Sequence, residues 1–264
     1  MFDVKIEQSV CSPKLVRGLG IIAKAAARAY GSGNIISMST AGKIVCSDKM
    51  KNVIIGGCFG DPDAECVRQL ISQKELPEDG LKTAVLLANE CLQIGQTDGI
   101  DKQDFLDGID SFLKTGAKKL QEIAKANSES LPGGGLYLLN ICRPVIQDMQ
   151  STSECTTYRK FVCALEIPFL VLAKNAGKQA HEAFACVKAA APTQFYSLKQ
   201  FGLKDGHIPL TEHRDLWHMG IELQTGKIVD VMEIGITVPL NTALSVLETV
   251  RVILAVLCAV RSIL

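Results

Sequence analysis

The chain has 264 residues, 28 Lys plus Arg against 28 Asp plus Glu, and a hydrophobic content of 47% with only 5% aromatic residues. This balance leaves no basic excess for nucleic acid or an anionic membrane surface, and neither is expected as a partner. The length can bury one large core or two modest ones, and an aliphatic core poor in rings favours helices packed on helices.

In chain order, Phe2–Ile6 alternates apolar and charged residues and predicts a short strand; Met1 to Glu7 lacks the apolar run of a signal peptide. Ser12-Pro13 pairs an N-cap with a first-turn proline and opens a helix through Leu15, Leu19, Ile22 and Ala26. It stops at the turn Tyr30-Gly31-Ser32-Gly33-Asn34. Ile35–Met38 and Lys43–Cys46 predict a hairpin turning at Ala41-Gly42. Asp61-Pro62 starts a helix through Cys66, Val67, Leu70 and Ile71. A further helix follows Gly80 to about Ile94, and a long one covers Asp101 to Ala126 with Phe105, Ile109, Phe112, Leu113 and Leu120 on one side.

Residues 127–135, with three successive glycines at their end, read as a linker. Helices are then expected over Leu136–Ile146 and Tyr158–Asn175, the latter closed by Ala176-Gly177. Residues 188–218 read as an exposed excursion. Gly220 to Asp230 predicts a hairpin turning at Thr225-Gly226, and a last helix runs from Leu240 to about Val260. The apolar run Val252 to Val260 lies too close to Glu248, Arg251 and Arg261 for a membrane span, so a buried helix is expected.

Ten cysteines are scattered without a Cys-x-x-Cys pair, which suits reduced thiols in the cytoplasm and no structural zinc. His213, Asp215 and His218 are close in sequence but lie in the variable excursion, where a surface loop is the expected reading. The stretch from Glu78 to Glu90 carries more. An acidic turn, Asp79-Gly80, runs directly into an apolar helix whose first N–H groups suit an anion, and Asp79 could hold Mg²⁺. The simpler reading of the same residues is a turn and an N-cap.

Several of these segments together resemble the equatorial domain of group II (thermosome-type) chaperonins. Asp79-Gly80-Leu81-Lys82-Thr83-Ala84 is similar to that family's Asp-Gly-Thr-Thr-Thr-Ala phosphate loop, and Tyr30-Gly31-Ser32-Gly33 to a shortened Leu-Gly-Pro-Lys-Gly loop. Gly42 to Pro62 is similar to the family's stretch between the hairpin and the next helix. Leu131-Pro132-Gly133-Gly134-Gly135 resembles the Ala-Gly-Gly-Gly motif, and Gly220 to Pro239 the adenine-side hairpin. Tyr30-Gly31 and the worn motifs also resemble the divergent branch linked to McKusick–Kaufman and Bardet–Biedl syndromes. The resemblance implies a mainly α fold: an equatorial-domain-like helical bundle with small β-hairpins, lacking apical and intermediate domains. It implies one domain, 1–264, built from two halves, 1–126 and 131–264, joined at 127–130.

The same resemblance implies a nucleotide site at Gly31, Gly33, Asp79, Gly80, Thr83, Gly134 and Gly135, with Asp79 and Asp48 on the metal. Departures from the pattern weaken it. Leu81 and Lys82 replace two hydroxyl residues, and Lys82 can pair with phosphate or take the metal's place. Ungapped counting puts Lys49 on the second acidic position and Asp48 one residue early. Val238 stands where an acidic residue meets the nucleoside, and Glu222 replaces an Asn. Binding of ATP and Mg²⁺ is therefore expected to be weak or lost, with no catalytic residues and no useful hydrolysis. The expected function is that of a chaperonin-like protein assisting protein folding or complex assembly through chaperonin subunits, or self-association, by its terminal strands Phe2–Ile6 and Val260–Leu264. Unfolded or assembling proteins would be met indirectly. A residual Mg-ATP-binding protein or weak ATPase, and a truncated inactive remnant, are the alternatives.

Overall fold

The computed structural model describes residues 10–31, 33–39, 41–126, 129–149, 161–177, 182, 218–222, 225 and 227–260. The expected strand Phe2–Ile6, nearly all of Val260–Leu264 and nearly all of the 188–218 excursion lie outside the described residues. So do His213 and Asp215.

The first helix, α1 (Pro13–Arg28), begins at the expected proline and buries Leu15, Leu19, Ile22 and Ala26 at helical spacing. It packs on α3 (Pro62–Ser72). Gly18 makes that approach possible, because a Cβ there would lie 2.3 Å from the Asp63 carbonyl. Asp61 caps α3 by accepting from the Asp63 and Ala64 amides at 3.0 and 3.1 Å, and Arg17 pairs with both Asp61 and Asp63.

Between them, β1 (Ile35–Ser39) pairs antiparallel with β2 (Ile44–Ser47) in the expected hairpin and with β3 (Gly57–Cys58) on its other side. A short helix, α2 (Met50–Gly56), fills residues whose local pattern predicts no element. It buries Met50, Val53 and Ile54, and Arg68 of α3 donates to the Ile54 carbonyl at 2.7 Å near its end.

The central helix is α4 (Leu81–Thr97). Its buried residues run round most of its surface, and it packs against α1 and the last helix, α8 (Leu240–Ala259). Helix α5 (Lys102–Ala126) buries Phe105, Ile109, Phe112, Leu113 and Leu120 as expected, and Phe105 meets Phe161 edge-on at 5.7 Å. The buried face of α8 (Ala243, Val246, Leu247, Val250, Ile253, Leu254, Leu257) lies in the core formed with α4 and α5. Helix α8 is long and apolar enough to cross a membrane, but half of its apolar stretch is buried inside the fold.

Two expectations are corrected. The linker read over 127–135 contains β4 (Ser130–Pro132), antiparallel to β7 (Thr237–Pro239). Pro132 is compatible with this because the strand is at an edge. The helix expected over Tyr158–Asn175 is interrupted: residues 161–164 are helical, 165–166 form a turn, and α7 (Ile167–Asn175) starts afresh. Pro168 explains the break, since it has no N–H to continue the preceding ladder. Helix α6 (Leu136–Met149) and the hairpin of β5 (Met219–Ile221) with β6 (Ile228–Asp230) complete the described elements.

Candidate functional site

Three of the marked segments meet where α1 ends and α4 begins. The Thr83 hydroxyl lies 2.8 Å from the Tyr30 hydroxyl, and it also bonds the Tyr137 hydroxyl near the start of α6. Lys82 reaches back to the carbonyls of Ala29 and Gly33, at 2.6 and 3.0 Å. Leu172 of α7 stands between the two glycine loops. A Cβ on Gly31 would lie 3.1 Å from its Cδ1, and one on Gly134 would lie 3.8 Å from its Cδ2. Asn175 closes the cluster by donating to the carbonyls of Ala27 and Tyr30, at 2.7 and 3.1 Å.

The remaining site residues take packing positions or the surface. Gly80 adopts φ 82° as the residue before α4, and a Cβ on it would lie 2.5 Å from Val246 Cγ2 of α8. Gly135 also has a left-handed φ, 82°, and its Cβ direction meets the Phe169 backbone at 3.0 Å. Gly33 lies over the end of α1, where a Cβ would come within 2.9 Å of Ala29. Asp48 and Asp79 are exposed. Their segments are neighbours, because Glu78 pairs with Lys51 at 2.6 Å and with Lys49 at 3.7 Å. Among the described residues, no group of three or more His, Cys, Asp or Glu side chains is placed to hold a metal. A cation between Asp48 and Asp79 would need other ligands.

The electrostatics follow from burial. Removal from water pushes the Tyr30 hydroxyl up to about 12, and it pushes Tyr137 up as well. Desolvation lowers Lys82, partly offset by the negative charge of Asp48. The Lys51 ammonium holds Glu78 below the usual carboxylate range.

A site built for Mg-ATP presents polar groups that the ligand completes. Here the Thr83 hydroxyl, the carbonyls at the end of α1 and the Lys82 ammonium already have protein partners, so these residues fit such a ligand poorly. What stays compatible with an anion is the start of α4, which no side chain caps.

Tyr30 and Lys82 stand inside motifs read from sequence, but their partners Tyr137, Leu172 and Asn175 do not. Asn175 is the last residue of α7, just before the Ala176-Gly177 helix end, and its side chain has a structural role, tying that end to the end of α1. Of the His-Asp cluster, His218 alone is described, with Nδ1 3.7 Å from Asp230 Oδ2. Val238 pairs across from Leu131, and Glu222 bonds the Thr225 hydroxyl.

No protein-family model matches the chain, and no curated protein matches it. Among solved structures it is similar to the crystal structure of a group III chaperonin in the open state, with TM-score 0.66 and 11% identity over 95% of this chain and 98% of that one. At that identity the likeness shows the fold: the chain is mainly α and chaperonin-like.

Proposed function

We propose that this protein is chaperonin-like in function as well as fold, assisting protein folding or complex assembly in the cytoplasm through contacts with chaperonin subunits or with its own copies. Its motifs favour the group II type and the divergent branch. The observation that carries this reading is the β1–β2 hairpin. Ile36, Met38 and Ile44 are 74%, 58% and 77% exposed on one face, with the exposed Cys46 opposite Ile36. Strand β2 is also the outer strand of its sheet, leaving one edge for a partner strand. An apolar face beside an open edge favours burial against another chain.

The nucleotide site is read as degenerate: ATP and Mg²⁺ bind weakly or not at all, because Thr83, Lys82 and the α1 carbonyls are satisfied from within. Binding of subunits is tested by size-exclusion chromatography and pull-down with purified chaperonin subunits. Replacing Ile36 and Ile44 together by Asp should abolish association while leaving circular dichroism unchanged, since both side chains are already in solvent. Association that survives the double substitution would remove the hairpin from the proposal.

A second reading, a residual Mg-ATP-binding protein or weak ATPase, draws support from the uncapped start of α4 and the neighbouring Asp48 and Asp79 segments. Calorimetric titration with Mg-ATP separates the two: micromolar binding with turnover favours the second, and a flat titration favours the first.

A further inference from the structure

Cys11 and Cys258 are near opposite ends of the sequence and meet in the fold. Cys11 directly precedes the Ser12 cap position of α1, and Cys258 is the penultimate residue of α8. Both are buried thiols. The Cys11 Sγ donates to the Leu257 carbonyl at 3.4 Å. Cys258 is the next residue, and the two thiols are close enough to perturb each other's ionisation.

Each thiol has one proton, so in this contact the sulfur that keeps its proton stabilises the ionised form of the other. The contact with Cys258, helped by burial, pushes Cys11 up, and the contact with Cys11 holds Cys258 down. The positive charge of Lys102, at the start of α5, favours the thiolate. Cys91 is different, since burial is the main influence there and pushes it up.

We propose that Cys11 and Cys258 form a peroxide-responsive pair that closes into a reversible disulfide, tying the entry of α1 to the exit of α8. The Cys258 thiolate attacks a peroxide oxygen; the S–O bond forms, the O–O bond breaks and hydroxide leaves. The Cys11 sulfur then attacks the sulfenic sulfur; the S–S bond forms, the S–O bond breaks, and the departing hydroxide takes the Cys11 proton as water. The two sulfurs give up two electrons and the peroxide takes them. A small uncharged oxidant is required because both sulfurs are buried, which disfavours attack by a bulky disulfide. The cross-link would close nearly the whole chain into a loop and so restrict the unfolded state.

The test uses the full chain, treated with hydrogen peroxide in thiol-free buffer, alkylated with N-ethylmaleimide under denaturing conditions and mapped by peptide mass spectrometry. The expected result is a dominant cross-linked peptide pair containing Cys11 and Cys258, removed by dithiothreitol, with an upward Tm shift of several degrees in the oxidised form. Alkylation of both cysteines after peroxide, or preferential cross-linking of other thiols, overturns the proposal. Cys258→Ala should abolish the Tm shift, and a shift that persists in the folded variant also overturns it. Should that variant fail to fold, the wild-type peptide map decides alone.

Discussion

Tyr30, Thr83 and Tyr137 form a hydroxyl cluster whose members come from three elements, and its cost and benefit are both set by burial. A phenol removed from water is held neutral, so an unfolded Tyr30 ionises near 10 while the folded one keeps its proton to about 12. The unfolded state therefore sheds protons first, and the contribution to stability is complete below pH 10 and lost as pH rises through 12. Tyr137 adds to the loss in the same direction. We expect urea denaturation to show roughly 2 kcal/mol less stability at pH 11.5 than at pH 9 from Tyr30. In Tyr30→Phe that difference should shrink; an unchanged pH profile in the variant would show that Tyr30 does not titrate as its burial demands. The positions of Tyr30, Lys82 and Thr83 were legible from their motifs. Their partners were not, because Leu172 is brought to Gly31 and Asn175 to Tyr30 by tertiary packing that no local pattern encodes.

Helix α4 is fixed from both sides, and Gly80 is where its start touches α8. A side chain at Gly80 would meet Val246 Cγ2 at 2.5 Å, and the left-handed φ of 82° is itself unfavourable for an L residue. Gly80→Ala should therefore destabilise by about 2–4 kcal/mol, the sum of backbone strain and overpacking. Combining it with Val246→Ala should recover the steric part, so a double-mutant cycle should show coupling. Additive losses would mean that α4 and α8 move apart instead. The long elements were legible because their apolar residues repeat at helical spacing and their starts carry Pro13, Asp61-Pro62 or Gly80. Helix α2 was not: it has only seven residues, its N-cap residue is Lys49, and its side chain supplies no capping bond. Strand β4 was hidden for a different reason. Its partner β7 is distant in sequence, and Pro132 beside three glycines reads locally as a linker.

At the scale of the molecule, that hidden strand is what ties the two halves of the sequence together. Glu129 leaves α5 with a left-handed φ of 63°, and its carbonyl accepts from the Leu240 amide at 3.2 Å where α8 begins. Gly133 donates to the Ile236 carbonyl at 2.9 Å, so the join is bonded on both sides of β4. Leu131, between these bonds, is fully buried. Helix α8, from the second half, packs on α3, α4 and α5 from the first, so each half completes the core of the other. Such interleaving argues for one cooperative unit rather than two halves folding separately. Leu131→Ala should cost about 2–5 kcal/mol, as expected for a buried leucine whose cavity cannot collapse fully. Hydrogen exchange across a urea series should then show α4, from the first half, and α6, from the second, losing protection at one shared midpoint. That midpoint should be lower in the variant but still shared. Two separate midpoints, with α6 opening before α4, would show that the join is a hinge between independent halves.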